Sequence, residues 1–590
     1  MKYYYNSQIK ENMLNILIIT ENNLIGDTIV KALSGNNLVA YKAKLYNIKY
    51  NYYSFEDEFK GIKSKFKLYS IEGHLYKTQL NNNNNTYIKS RISENSNEIE
   101  RRIRYLSQKT DILLLWMNND SEGENISYEV IYNALPFMNK KKFQQIYRIK
   151  FNSLSKKEIR KAFKENNNLE YPNKYLSYEI DIRQIIDLKI RLYIKNILKN
   201  ENNNNILFNS IQLPILFLIL DKNNQMEKNN NNNPYYQIYI KLKIEEGLIT
   251  KIYLDDKYHD LNEVKEIVKI LEKNKSVIFS KILTEKKVKP HPLALNIIDL
   301  IKLSSKYLNL SPKDTLTYAK NLCLNGLVTN PKTYSNEYNR EFNLKKILNK
   351  LSNSYDINEL LNNINNLDNN LFAEENNNYN LPIIPLEPIP DNINIQQENI
   401  NLFDFICNYF FASLSPDMNI KEKLYEFEIK EKKYKSRCNY IDPDENSFIK
   451  YYNPYLMKEY LNKDEILKEK NKYEIKEVNY ELYEKENYIS EDEFIDDIVK
   501  YNMNIDEYLF ESIDNLIKSK LLEKIKENYK IKLKPTNKGK KLIEKIMKDK
   551  KELVLPEVKK EIEKILRLLT EGKESYENIL NKVFDLYKIN

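Results

Sequence analysis

The sequence predicts a multidomain chain of mixed class, an α/β unit joined to separate α and β units. Three observations predict it. At 590 residues the chain is longer than one hydrophobic core organises, so about four units of roughly 100–200 residues are expected. Two short apolar runs in the first quarter each lead into acidic turns and then into helical periodicity. Alternating β-type segments then stand between long helical stretches.

The first run, Leu14–Ile19, reads as a buried strand; it is followed by Thr20, Glu21, a turn at Asn22 and Asn23, and a helix through Ile25, Ile29, Val30 and Leu33. The second, Ile112–Trp116, runs into Asp120-Ser121-Glu122-Gly123-Glu124 and a helix with Ile126, Val130 and Ile131. Such alternation suggests a small sheet with loops gathered at strand ends. Lys156–Lys164 and Tyr178–Leu198 read as helices, the second with an isoleucine face. Tyr235–Leu242 and Leu248–Leu254 alternate like strands, so Ile206–Leu283 is expected to be β-rich, and helices return from Leu293 to Leu324. Leu381–Pro390, with four prolines, reads as a stiff extended linker. Phe403–Phe411 reads as a helix, Tyr425–Ile429 and Tyr473–Tyr483 as strands, and the charged tail from Glu491 as helical. Asparagine runs at 81–85, 202–205, 229–233 and 358–370 bury no apolar area and are expected in loops or disorder.

Hydrophobic residues make up 42% of the chain, enough for real cores, while 30% charged residues describe a polar surface. The net charge of +9, from 93 basic and 84 acidic residues, suits a polyanion without demanding one. Cys323, Cys407 and Cys438 lie far apart, which argues against a disulfide framework and a cysteine-rich zinc module. No apolar run is long enough to cross a bilayer and Met1–Asn12 lacks the apolar stretch of a signal peptide, so no membrane is expected. Heavy use of Asn, Lys, Ile and Tyr is what an AT-rich coding sequence imposes.

Asp120, Glu122 and Glu124, just past a buried strand, are oxygen donors of the kind that hold Mg²⁺, and Glu21 would lie at the same mouth of a parallel sheet. The bland alternative is a set of solvated loop acids.

Ile18-Ile19-Thr20-Glu21, Gly73-His74-Leu75 and Trp116–Ile126 together resemble the Toprim half of the type IA DNA topoisomerases of the topoisomerase III kind. The likeness runs on through Phe151-Asn152-Ser153-Leu154, Asp181-Ile182-Arg183-Gln184, Gln212-Leu213-Pro214, Leu324–Thr333, Ser490–Leu522 and Glu571-Gly572-Lys573, nearly the whole chain. It implies a type IA torus. Its parts would be a Toprim α/β domain at residues 12–165, a helical base at 166–205 and 486–590, a β-rich arch at 206–285 and 418–485, and a helical domain with the tyrosine motif at 286–417. It also implies cleavage of single-stranded DNA through a phosphotyrosine, strand passage and religation, with Mg²⁺ as cofactor and single-stranded DNA as partner. A RecQ-type helicase, an OB-fold partner and a nuclear location come with the same resemblance.

Residue by residue, the resemblance assigns Glu21 to proton transfer and, with Asp120 and Glu122, to the metal. It assigns His74, Arg183, Asp187, Lys189 and Gln212 to DNA. Arg183 and Asp187, one helical turn apart, also read as a surface ion pair worth about 0.3–0.5 kcal/mol. The departures fall on the chemistry. The family's G-x-x-x-Y-P-R-T motif is matched by Gly326–Thr333, with Asn330 at the tyrosine position and Lys332 at the arginine. Asn22 replaces a lysine, Asn118 the first aspartate of the acidic loop, weakening the Mg²⁺ site, and Ser121 an arginine. The H-P-P-I-H-P segment is matched by Asn380–Pro385 without either histidine, and G-I-G-T-D-A-T by Asn502–Tyr508 with only Asp506 kept.

Three readings stay open from the sequence. One is a divergent topoisomerase in which Tyr334 or Tyr338 replaces the nucleophile. Another is a catalytically inactive relative that binds single-stranded DNA or scaffolds a helicase. The last is a helical interaction protein that binds no DNA.

Overall fold

The computed structural model describes residues 13–588 apart from 35–38, 46–47, 82–85, 140–144, 152–153, 155, 165–168, 198–207, 229–233, 246–247, 341–342, 364–370, 373–380, 391–394, 430–431, 442–446, 457–466, 484–487 and 528–529. Most of the asparagine runs, Asn152, Ser153 and Asn380 lie outside the described residues.

In the N-terminal unit the strands Leu14–Thr20, Ile62–Ser70, Ile112–Trp116 and Gln145–Ile149 run parallel at the centre of a seven-stranded sheet. Val39–Leu45 and Ile48–Phe59 extend one edge and Leu169–Glu170 the other, each antiparallel. The two-residue period of a strand sorts the side chains. Ile16, Ile18, Ile112, Leu114 and Trp116 pack on one face with the helices Asn23–Leu33 and Lys156–Lys164. Leu17, Ile19, Leu113 and Leu115 pack on the other with Glu94–Ser107 and Ser121–Ala134. Both faces are covered, which is why these strands are continuously apolar. Thr20 is level with Ser70 and with Trp116 in the ladder, so Glu21 and the acidic loop leave the sheet at one mouth.

The β-rich unit is a six-stranded sheet drawn from two stretches of chain. Its order is Leu248–Tyr258, Tyr235–Glu245, Lys472–Tyr483, Ser276–Lys289, Met418–Ile429 and Lys432–Ile441. The helix Leu261–Lys273 packs its Val264, Ile267 and Leu271 into the same core. The two outer strands approach each other where Arg437 donates its backbone N–H (3.0 Å) and its Nε (3.1 Å) to Asp255.

A helical core holds Lys174–Ile197, Glu491–Lys500, Glu507–Lys518, Asn537–Lys550, Pro556–Thr570 and Tyr576–Tyr587. The helix Gln212–Lys228 belongs here, since its Leu213, Ile215, Leu216 and Ile219 are buried in this core. The sequence expectation had put it with the arch. The tail is likewise not wholly helical: Leu522–Glu527 and Lys530–Pro535 form a hairpin, their two-residue alternation hidden among lysines.

The fourth core gathers Ile297–Leu308, Pro312–Leu324, Leu344–Leu351 and Gln397–Ser413. Leu381–Pro390 is extended but is no free linker. Ile383 and Ile384 are buried, and the Ile383 and Leu386 N–H groups donate to Leu295 (2.7 Å) and Leu327 (2.7 Å). Asn358–Asn363, expected in a loop, forms a short helix anchored by buried Leu360.

Gly539 lets the first turn of its helix touch the hairpin, because a Cβ there would lie 2.2 Å from the Leu521 carbonyl oxygen. Gly539→Ala is expected to cost about 1–3 kcal/mol and to lower the thermal midpoint measured by circular dichroism.

Candidate active site

Strand register builds the site. Glu21 caps its strand and accepts a hydrogen bond from the Asn118 N–H (3.2 Å), tying the two acidic turns together. Burial raises the Glu21 pKa against this bond; the nearby Asp120 carboxylate raises it further, while Lys320 and Lys332 lower it.

Asp120 is the N-cap of the Ser121–Ala134 helix, its Oδ1 accepting from the Gly123 N–H at 2.9 Å, as a short acidic side chain at that position does. Its other oxygen lies 3.7 Å from Nζ of Lys332. The structure therefore brings the loop carrying Asn330 up to the acidic turn, although the two are more than two hundred residues apart in sequence (332 less 120).

Glu122 turns toward His74, whose Nε2 lies 2.5 Å from its Oε2, while Nδ1 of the same ring is 3.1 Å from Glu129. Glu129 is held in turn by the Leu75 N–H at 2.7 Å. Burial disfavours the imidazolium, but two carboxylates outweigh it and carry the His74 pKa from 6.5 up to about 10.

Glu124, read as one of the loop acids, is fully buried and structural. It accepts from Nε of Arg148 at 3.1 Å and from the Asn173 N–H at 2.8 Å. Arg148, also fully buried, spends its remaining donors on the Met117 (3.0 Å), Ile149 (2.8 Å) and Asn118 carbonyls. The sequence reading missed Arg148 and Glu129. A lone arginine among Ile146, Tyr147 and Ile149 was the available signal for the first, and Glu129, two turns along from Glu122 on one helix, gave none.

Asn330 offers no nucleophile, and its side-chain oxygen accepts from the Lys332 N–H at 3.0 Å in a local turn. Thr329 anchors the loop by donating to the Pro382 carbonyl (2.7 Å) and accepting from the Ile384 N–H (2.9 Å). The two neighbouring tyrosines differ, Tyr334 being half-exposed and Tyr338 enclosed. The Tyr334 hydroxyl accepts from the Ile505 N–H of the helical base at 3.0 Å. Tyr338 is buried, its hydroxyl 2.7 Å from Ser413 Oγ, and burial raises its pKa.

Of the residues assigned to DNA, several are engaged inside the protein. Arg183 does not pair with Asp187, as its side chain forks instead onto Glu179 (2.7 Å) and onto Glu563 (2.5 and 2.8 Å). Asp187 accepts from the Ser210 N–H (2.8 Å) and from the Tyr508 hydroxyl. Lys189 stacks over Phe584 at 4.0 Å, and Gln212 is buried, accepting from the Asn209 N–H at 3.1 Å. The i, i+4 partner of Arg183 lies one turn before it rather than one turn after, because Glu563 draws the guanidinium to that side.

The expected Mg²⁺ site is not assembled by these donors. Among the described residues no three His, Cys, Asp or Glu side chains are grouped to hold an ion. Glu122 is held by His74, Glu124 by Arg148, and an amide stands at 118.

Comparison with known proteins agrees with this architecture. A family model described as DNA topoisomerase matches residues 171–581 and one described as Toprim domain matches 16–154. The chain belongs to the type IA DNA topoisomerase family. It is 22% identical over 616 residues to DNA topoisomerase 3-beta-1 of Mus musculus, covering 98% of this chain and 68% of that protein. It is 24% identical over 353 residues to DNA topoisomerase 3-beta of Arabidopsis thaliana, covering 55% and 39%. Within the family the chain is thus topoisomerase III-like. Full-length topoisomerase I from Thermotoga maritima shares the fold, with a TM-score of 0.68 at 16% identity over 97% of this chain and 89% of that one. No described helix is long and apolar enough to cross a membrane.

Two outcomes test the geometry. Arg148→Met leaves the Glu124 charge buried without its cation and is expected to cost about 3–5 kcal/mol in chemical denaturation, while Arg148→Met with Glu124→Met recovers only the share due to that charge, since the Met117, Asn118 and Ile149 carbonyls still lose their donor. The His74 pKa is raised on folding, so its stabilisation is present in full below 6.5 and is lost as pH climbs through about 10. The stability difference between the wild type and His74→Gln, followed by melting against pH, is expected to shrink across that window.

Proposed function

We propose that the chain acts on single-stranded DNA as a topoisomerase III-like protein that holds a strand without cutting it. The observation that carries this is Asn330 at the tyrosine position, its side chain folded onto its own backbone, with Tyr338 buried and the Tyr334 hydroxyl accepting from the Ile505 N–H. A carboxamide cannot form the covalent phosphoester that the cleavage reaction passes through. Loss of a nucleophile from an assembled site costs on the order of a million-fold. Lys332 in place of arginine keeps a charge near a phosphate but not a two-pronged grip.

Strand binding rests on the retained family architecture and on a basic chain, +9 overall. In this reading Arg183, Asp187 and Gln212 shape the helical base rather than touch the strand. Action in the nucleus completes it, supported by the eukaryotic topoisomerase 3-beta relatives, and a RecQ-type helicase and an OB-fold partner belong to the reading on the sequence resemblance alone.

Full-length protein incubated with a labelled single-stranded oligonucleotide and Mg²⁺, then denatured, is expected to give no covalent adduct on a gel. Filter binding of the same oligonucleotide is expected to weaken steeply with salt, as counterion release requires. An adduct lost on Tyr334→Phe would return the chain to the strand-cleaving enzymes, and no binding at low salt would leave it a DNA-free scaffold.

A further inference from the structure

Each acid of the Toprim loop already has a cation of its own. Asp120 faces Lys332 at 3.7 Å, Glu122 faces His74 at 2.5 Å, and Glu124 faces Arg148 at 3.1 Å. We propose that these three side chains stand in for the divalent cation, making the acidic mouth a metal-independent clasp between the Toprim domain and the Asn330 loop. The proposal concerns metal and domain contact alone and does not depend on whether the chain binds DNA.

The three pairs differ in what they fix. Arg148 is buried with Glu124 and also donates to the Leu115, Met117, Asn118 and Ile149 carbonyls, so this pair is part of the scaffold. His74 is held from both sides, by Glu122 and Glu129, so the Glu122 carboxylate is already occupied. Lys332 is the element that crosses between domains. It comes from the loop after Pro312–Leu324 and reaches the acidic turn, and its charge is also felt by Glu21. Lys320, on that same helix, acts on Glu21 in the same sense. A hard dication needs several carboxylate oxygens converging at short range. Here one acid is turned aside, one is internal, and the remaining pair, Asp120 and Glu21, faces ammonium groups. The amide of Asn118 fits the same arrangement, because it adds no further carboxylate to a mouth where Glu21, Asp120, Glu122, Glu124 and Glu129 already outnumber His74, Arg148, Lys320 and Lys332.

The inference predicts that the metal site returns when the internal cation is removed and the missing acid restored. Mn²⁺ binding to the full chain, read by electron paramagnetic resonance without DNA, is the measurement. The wild type is expected to bind no Mn²⁺ at millimolar concentrations. Asn118→Asp with Lys332→Gln is expected to bind one ion at about 10–100-fold lower Mn²⁺ than the highest concentration at which the wild type stays silent, the range by which neighbouring groups tune metal affinity. Adding Asp120→Asn to that variant is expected to abolish the gain. Tight wild-type binding that Asp120→Asn removes would overturn the proposal, and so would a folded double variant that stays silent. Should the double variant fail to fold, Lys332→Gln alone, a change at a partly exposed side chain, is read by the same criterion.

Discussion

A guanidinium buried beneath the acidic loop governs the geometry of everything above it. Arg148 is fully enclosed, and a buried cation without partners is costly enough that its donors dictate where the chain must pass. Its Nε meets Glu124 and its terminal nitrogens collect the Met117, Asn118 and Ile149 carbonyls. The Met117 and Asn118 carbonyls belong to the turn between the Ile112–Trp116 strand and the Ser121–Ala134 helix, so the turn is fixed from below. Gly123 closes the arrangement, since a Cβ there would lie 2.1 Å from the Asn118 carbonyl oxygen. With the turn held, the Asn118 N–H points at Glu21 and Asp120 caps its helix while facing Lys332.

The same fixed turn carries the Toprim domain onto the helical base. Ser121 donates to Glu179 at 2.8 Å, and Glu179 shares Arg183 with Glu563, which also meets Lys559 at 3.0 Å. Asn125 donates to the Ser177 carbonyl and to Asp181, both at 2.9 Å. Residues that the family resemblance assigns to the strand thus serve the contact between domains. Opposing charges neutralised inside this contact hold Glu563 far below the usual carboxylate range despite its burial.

Much of the fold was legible because it rests on local period. Leu14–Ile19, Ile112–Trp116, Lys156–Lys164 and Tyr235–Leu242 announce themselves by apolar runs or alternation, and the structure has a strand or helix at each. Where period was masked, the reading slipped. The lysine-rich hairpin Leu522–Pro535 reads as helix because its alternation is carried by few apolar residues, and Leu381–Pro390 reads as a linker because prolines hide the buried Ile383 and Ile384. Gln212–Lys228 shows a limit of another kind: its helix is apolar on more than one side, and nothing in the sequence says which core receives it.

For the site the division is sharper. The identity of the residue at 330 is a covalent fact, and the sequence alone determined that no phenol stands there. It also determined the asparagines at 22 and 118 and the lysine at 332. Which side chains those residues meet was decided only by the tertiary structure, because the partners come from strands, helices and loops remote in sequence. Arg183 is the plainest instance, with Asp187 in reach along its helix and yet bound to Glu563 from the far end of the chain. Electrostatic pairing depends on distance and burial, and both are properties of the packed molecule rather than of neighbours along the backbone.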